Sequence, residues 1–248
     1  MIILIPFGVI HVPSLYVAGI SLVIGVTFIA SILLLYSALK VASATDVVPW
    51  LAAVSTIVTF LFGFMFLDET LPRYFPYALV LFIVGMLLVG HFRFNAKSFA
   101  FVVISGIFFG ISAVLLKTLF THTDFVNGFF WSRIGNVVGA LLLLAWPNCR
   151  EAVFHTSSAS THKTTLLIVI NRALGGVAFL CTLYAIRLGS VSIVNSLSSL
   201  QFVFIFLFIF LLRKKMHALF AHEFRPGHVL HKMLAMTFIV LGFIVLFI

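Results

Sequence analysis

Residues 202–212 read Phe-Val-Phe-Ile-Phe-Leu-Phe-Ile-Phe-Leu-Leu, a run without one polar side chain. A strand of a membrane barrel alternates apolar and polar residues over about ten positions, because one face meets lipid and the other the lumen. This run is apolar on every side, so it reads as a helix whose whole circumference meets apolar surroundings. The rest of the chain has the same character. Hydrophobic residues fill 63% of 248 positions and charged residues 8%, and the mean hydropathy is +1.27. A soluble domain is about half apolar and about a quarter charged, and so few polar groups cannot cover a surface that faces water. The expectation is an all-α, multi-pass integral membrane protein (in the cell membrane, if prokaryotic), with membrane lipid as the solvent of most side chains.

A helix needs about 20 mainly apolar residues to cross the hydrocarbon layer, which gives this length room for about eight or nine crossings. Apolar runs between breaks predict spans at 15–37, 46–67, 75–91, 98–120, 126–146, 164–187, 190–212 and 231–248. The piece 1–12 is too short to cross alone. The breaks fall at Pro13, at Asp68-Glu69-Thr70-Leu71-Pro72-Arg73, at Asn95–Ser98 and at Pro147–Lys163, and the loop from Arg213 to His231 is the longest and most basic. No basic leader precedes the apolar start, so no cleavable signal peptide is predicted.

The net charge of +9 does not point to nucleic acid, because the basic residues sit in short loops rather than on one soluble face. Orientation in the membrane explains them more simply. Taken alternately, the loops give one side Lys40, Arg93, Lys97, Arg150, Lys163, Arg213, Lys214, Lys215, Arg225 and Lys232, and the other only Arg73 and Arg187. Cys149 and Cys181 form neither a metal-ligand spacing nor a disulfide framework. His91, His122, His155, His162, His217, His222, His228 and His231 match no standard metal motif and read as loop residues. No metal and no cofactor is expected.

The chain also repeats itself. Ala38-Leu39-Lys40-Val41-Ala42-Ser43 corresponds to Ala185-Ile186-Arg187-Leu188-Gly189-Ser190 at an offset of 147, with Tyr36 and Tyr184 just upstream. Each copy is a tight link between two apolar spans, and a third span closes each, ending in Gly85-Met86-Leu87-Leu88-Val89-Gly90 or Leu241-Gly242-Phe243-Ile244-Val245. The second copy carries about ten extra residues before that span. Two repeats follow, 1–92 and 98–248, the second with five helices and the first incomplete at its start. An odd number of helices per unit inverts one copy relative to the other, a plan recurrent in transporters, where the substrate is held near mid-membrane between the copies.

These features resemble the drug/metabolite transporter superfamily, in its EamA-type branch. The likeness rests on Tyr36-x-Ala38-Leu39-Lys40-x-x-Ser43-Ala44, the apolar span that follows, and its ending Leu67-Asp68-Glu69-Thr70-Leu71-Pro72. Asp68 stands where family members commonly have glycine, and the second copy has Arg213-Lys214-Lys215-Met216 where the acidic ending belongs. The resemblance implies a secondary carrier of ten helices in two inverted five-helix repeats, working by alternating access. It implies substrates among amino acids, other metabolites, nucleotide sugars and drugs. It also places both chain ends inside, whereas the loop charges place the C-terminus outside, and the orientation stays open.

Ionisable groups inside spans are the candidate site residues, because burying charge in hydrocarbon is costly. Arg133 and Arg172 each lie about eight residues, or about 12 Å, into helices of opposite direction. Two guanidiniums in one cavity would favour a carboxylate or phosphate through paired hydrogen bonds. Lys117 is a third candidate, nearer a helix end. Asn136 is three residues from Arg133 and shares its face; Asn195, Gln201, Trp131 and Tyr184 are further polar or amphipathic groups. The competing reading for each is a structural one: snorkelling, a bond to backbone carbonyls, or contact between helices.

Asp46, Asp68, Glu69, Asp124, Glu151 and Glu223 all fall at span ends or in loops, which leaves no deep carboxylate for a proton or sodium relay. Glu69 reads as a helix-end contact. Gly106-x-x-x-Gly110 and Gly135-x-x-x-Gly139 read as sites of close helix packing. The sequence thus points to a non-enzymatic carrier of a small polar or anionic metabolite, with small-molecule substrate and membrane lipid as partners and a homodimer left open. A membrane-embedded lipid-processing enzyme and a non-transporting assembly protein are the rival classes. The first would need clustered carboxylates or paired acid and base groups, and Asp68-Glu69 is the one adjacent acidic pair.

Overall fold

A computed structural model describes residues 10–90, 95–145, 162–212 and 226–248. Among the described residues it is all-helical: α1 Leu15–Leu39, α2 Ala44–Phe66, α3 Phe75–Val89, α4 Ala96–His122, α5 Phe125–Leu144, α6 His162–Leu188, α7 Val191–Leu197, α8 Leu200–Leu212 and α9 Pro226–Leu246. Among the described residues five segments are long and apolar enough to cross a membrane: Leu15–Leu39, Ala44–Phe66, Ala96–His122, Leu166–Leu188 and Val191–Phe208. This build is consistent with a multi-pass integral membrane protein. α3 and the His231–Leu246 part of α9 are shorter apolar helices. α5 is not in the apolar set; it carries Asn127, Ser132, Arg133 and Asn136 along its length.

The predicted span 190–212 is interrupted. Ser198 and Ser199 form a turn between α7 and α8, where backbone bonds tighten to the i−3 pattern: Ser198 N–H to Asn195 O, Ser199 N–H to Ser196 O and Gln201 N–H to Ser198 O. The Ser198 hydroxyl also donates to Asn195 O at 2.6 Å, and the Ser196 hydroxyl to Ile193 O at 2.9 Å. Serine hydroxyls competing for backbone carbonyls weaken a helix in this manner.

The chain divides into two compact units, Met1–Ile29 with Leu115–Gly189 and Ala30–Val114 with Ser190–Ile248. This division follows contacts and does not coincide with the repeats 1–92 and 98–248 expected from the sequence. In the first unit α1 and α5 cross backbone to backbone. A Cβ on Gly25 would strike Gly135 O, one on Gly135 would strike Ser21 O, and one on Gly139 would meet Gly25 O at 2.8 Å. Gly135 and Gly139 thus pack closely, on α1.

In the second unit α3 and α9 run antiparallel around a core of Phe75, Ala78, Phe82, Met86, Ala235 and Ile239. Gly85 lies against Ile239 and Ala235 O, and Gly242 against Phe82 and Ala78 O. Gly106 and Gly110 of α4 lie against Val54 and Val58 of α2. Ser31 of α1 and Ser105 of α4 exchange hydroxyl-to-carbonyl bonds of 2.9 and 2.7 Å, so two otherwise costly hydroxyls hold two helices together.

Candidate functional site

The first unit carries the candidate site on the face of α5 that meets α6. Phe125, Phe129 and Arg133 recur every four residues and therefore stack along one stripe. The crossing with α1 fixes which way that stripe points: Gly135 faces α1, and at about 100° per residue Arg133 falls nearly opposite it. Phe125 meets Tyr184 edge to face at 5.3 Å and stacks on Phe129 at 6.1 Å. Arg133 Cζ lies 5.6 Å from the Phe129 ring centroid and 4.9 Å from that of Phe179 on α6. The result is an aromatic ladder, Tyr184–Phe125–Phe129, that ends on a guanidinium capped by Phe179.

Ring faces attract the cation but leave its N–H donors unserved. Arg133 Nε is buried and without a hydrogen-bond partner among the described residues, and so is Oδ1 of Asn136, one turn on along the same face. Ser21 Oγ on α1 is a third such atom. No carboxylate of the described chain pairs with Arg133. A guanidinium without a counter-charge among the described residues is costly in an apolar setting, which makes Arg133 a functional-site candidate.

The other sequence candidates lie elsewhere. Arg172 is exposed on α6, seven residues before Phe179 and so about 10 Å along the helix from it; no bond or ring contact joins it to Arg133 among the described residues. The Lys117 ammonium donates to the carbonyls of Ile186 (2.9 Å), Arg187 (3.0 Å) and Gly189 (2.6 Å), where it satisfies the last carbonyls of α6. Tyr184 belongs to the ladder by its ring. Trp131 Nε1 donates to His11 O at 3.2 Å. In the second unit, Asn195 donates to Ser55 Oγ at 3.1 Å and Thr59 Oγ1 at 2.8 Å, tying α7 to α2, and Gln201 is exposed.

Glu69 is a helix-end contact in the second unit. Its carboxylate accepts from Ser190 Oγ at 2.7 Å, from Val191 N–H at 2.6 Å, from Ser192 N–H at 3.3 Å and from the Ser192 hydroxyl. Among the described residues no group of His, Cys, Asp or Glu could hold a metal. Cys181 is free and exposed. Cys149, Glu151, Glu223, His91, His155, His217, His222 and the basic stretch 213–225 lie outside the described residues.

Phe129 and Phe179 were not among the sequence candidates. The Phe125, Phe129, Arg133 spacing carries the signal for the first; nothing local marks the second, which sits 46 positions beyond Arg133.

No family model and no curated protein matches the chain. Among solved structures one described as "Crystal structure of protein" matches with a TM-score of 0.64 at 16% identity, over 96% of this chain and 90% of that one. At that identity the likeness is one of fold.

Proposed function

We propose that this chain is a secondary carrier of the EamA type, moving a small polar or anionic metabolite by alternating access between two inverted repeats. The observation that carries the reading is Arg133. It is a cation in a predicted membrane span, flanked by Phe129 and Phe179, with a buried donor that meets no acceptor among the described residues. A purely structural arginine would bond to carbonyls, as Lys117 does. Its depth, about 12 Å from the start of α5 at 1.5 Å per residue, suits a solute held within the membrane better than a lipid headgroup at its edge.

The inverted plan is supported by the α3/α9 contacts. Gly85 and Gly242, Phe82 and Ile239, and Ala78 and Ala235 are each 157 positions apart, the repeat offset plus the extra residues of the second copy. Gly85 meets Ile239 and Ala235, and Gly242 meets Phe82 and Ala78. Exchanging the copies therefore returns the same contact set, as a two-fold axis between antiparallel equivalents requires. The engagement of Glu69 by four donors also speaks against the acidic pair Asp68-Glu69 as a catalytic centre.

The test is flux. Purified protein in proteoliposomes, offered a mixture of labelled small metabolites, is expected to accumulate at least one anionic or zwitterionic compound above protein-free vesicles. No compound-dependent flux in either direction overturns the carrier reading.

A further inference from the structure

We infer that Arg133 and Asn136 together select a carboxylate that bears a hydrogen-bond donor on the adjacent carbon, with Asn136 as the specificity-determining residue. The inference rests on the carrier reading above. A guanidinium only donates and an amide oxygen only accepts. Arg133 Nε and Asn136 Oδ1 are each buried without a partner, and they are not bonded to one another. Three residues apart on α5, they face the same way, with Cβ atoms about 5–6 Å apart. A plain anion would serve Arg133 and confront Asn136 Oδ1 with a second acceptor; a plain cation would do the reverse. A 2-hydroxy or 2-amino carboxylate offers both complements on neighbouring atoms.

The shape of the site agrees. With Phe129 and Phe179 close by, the in-plane edge of the guanidinium is the part left for bonding, and that edge matches a planar carboxylate in paired fashion. Both orphan atoms are closed to water, so a ligand reaches them only when the helices packed around them shift, as a carrier that alternates would require. A site that hydrogen-bonds a substrate group rejects analogues lacking it far more strongly than an apolar pocket rejects a missing methylene.

Competition against labelled L-lactate, with the protein in lipid nanodiscs, tests this. L-lactate and L-alanine are expected to bind at least about tenfold more tightly than propionate and inorganic phosphate. Asn136→Leu should bring lactate to within about twofold of propionate, and Arg133→Gln should weaken binding of all four by about ten- to hundredfold. A melting profile matching the unsubstituted protein shows that each variant folds. Equal affinity for lactate and propionate overturns the inference, as does full discrimination retained by folded Asn136→Leu. Binding by none of the four probes overturns it too, while flux of another metabolite in proteoliposomes leaves the carrier reading standing.

Discussion

Glu69 gathers four donors onto one carboxylate, two of them the first free N–H groups of α7 and two the hydroxyls of Ser190 and Ser192. Helix N-termini leave such donors unserved unless an acceptor is brought to them. Glu69→Ala strands them and should lower unfolding stability by about 1–3 kcal/mol, read as thermal unfolding in detergent; an unchanged midpoint would show the contact to be idle. Its neighbour Asp68 has φ 45°, the left-handed region where glycine rests without cost. That is the physical reason a glycine suits this position. Asp68→Gly should hold or raise stability, and Asp68→Val should lower it by about 1–2 kcal/mol. Asp124 caps α5, accepting from Asn127 N–H at 3.1 Å and Asn127 Nδ2 at 2.7 Å. Burial opposes its charge, but the bonds from Asn127 and Val126 outweigh that and hold its carboxyl below the ordinary aspartate value. Its contribution is therefore complete above the unfolded value of about 4 and lost as pH falls through the lower folded one. Asp124→Ala should flatten the acid limb of a stability profile below that value and leave its neutral slope alone. At this scale the sequence was partly legible. Glu69 could be placed at a helix end because it borders a span, whereas the acceptors of Lys117 stand about 70 positions away and no local pattern reveals them.

Elements were more legible than residues. The predicted spans and the helices agree to within a few positions for α1 to α6, because lipid demands long apolar runs and the loops are punctuated by Pro, Asp and Asn. The break between α7 and α8 escaped, since the apolar residues of Val191–Val194 and Phe202–Phe208 keep the window around it hydrophobic; the run Asn195-Ser196-Leu197-Ser198-Ser199 is the signal that could have found it. Glycines at i and i+4 announced close packing but not the partner. Gly135 turns out to meet Ser21 and Gly25 of α1, and that contact aims Arg133 at α6. Gly135→Leu must push α1 and α5 apart. It should cost several kcal/mol by overpacking, at or above the usual range of about 1–3 kcal/mol, and remove the Arg133–Phe179 contact as well. Wild-type melting together with unchanged substrate affinity would contradict the role given to this crossing.

For the whole molecule, composition was decisive: a chain with 8% charged residues has too few polar groups to cover a surface that faces water, and the all-helical build of the described residues suits the need of a membrane span to satisfy every backbone group within its own segment. The proposed repeat asks for matched surroundings of matched residues; in this pair of helices Gly85 lies against Ile239 and Ala235, and Gly242 against Phe82 and Ala78. Gly85→Leu and Gly242→Leu should therefore destabilise to similar degree, each by about 1–3 kcal/mol, and the double variant by less than their sum because they widen one shared interface. The candidate site was half legible. Arg133 and Asn136 stood out as polar groups in an apolar span, while the aromatic frame and the separate position of Arg172 depend on how α5 and α6 pair, which one sequence does not state. The central claim is that Arg133 receives the anionic group of a transported solute. Counterflow in proteoliposomes measures it directly, comparing unsubstituted protein with Arg133→Lys and Arg133→Gln for a carboxylate the protein moves. Loss of a charge-assisted bond worth about 1.5–3 kcal/mol predicts about a ten- to hundredfold rise in KM for Gln, with a smaller rise for Lys. Equal transport by all three proteins would contradict the account.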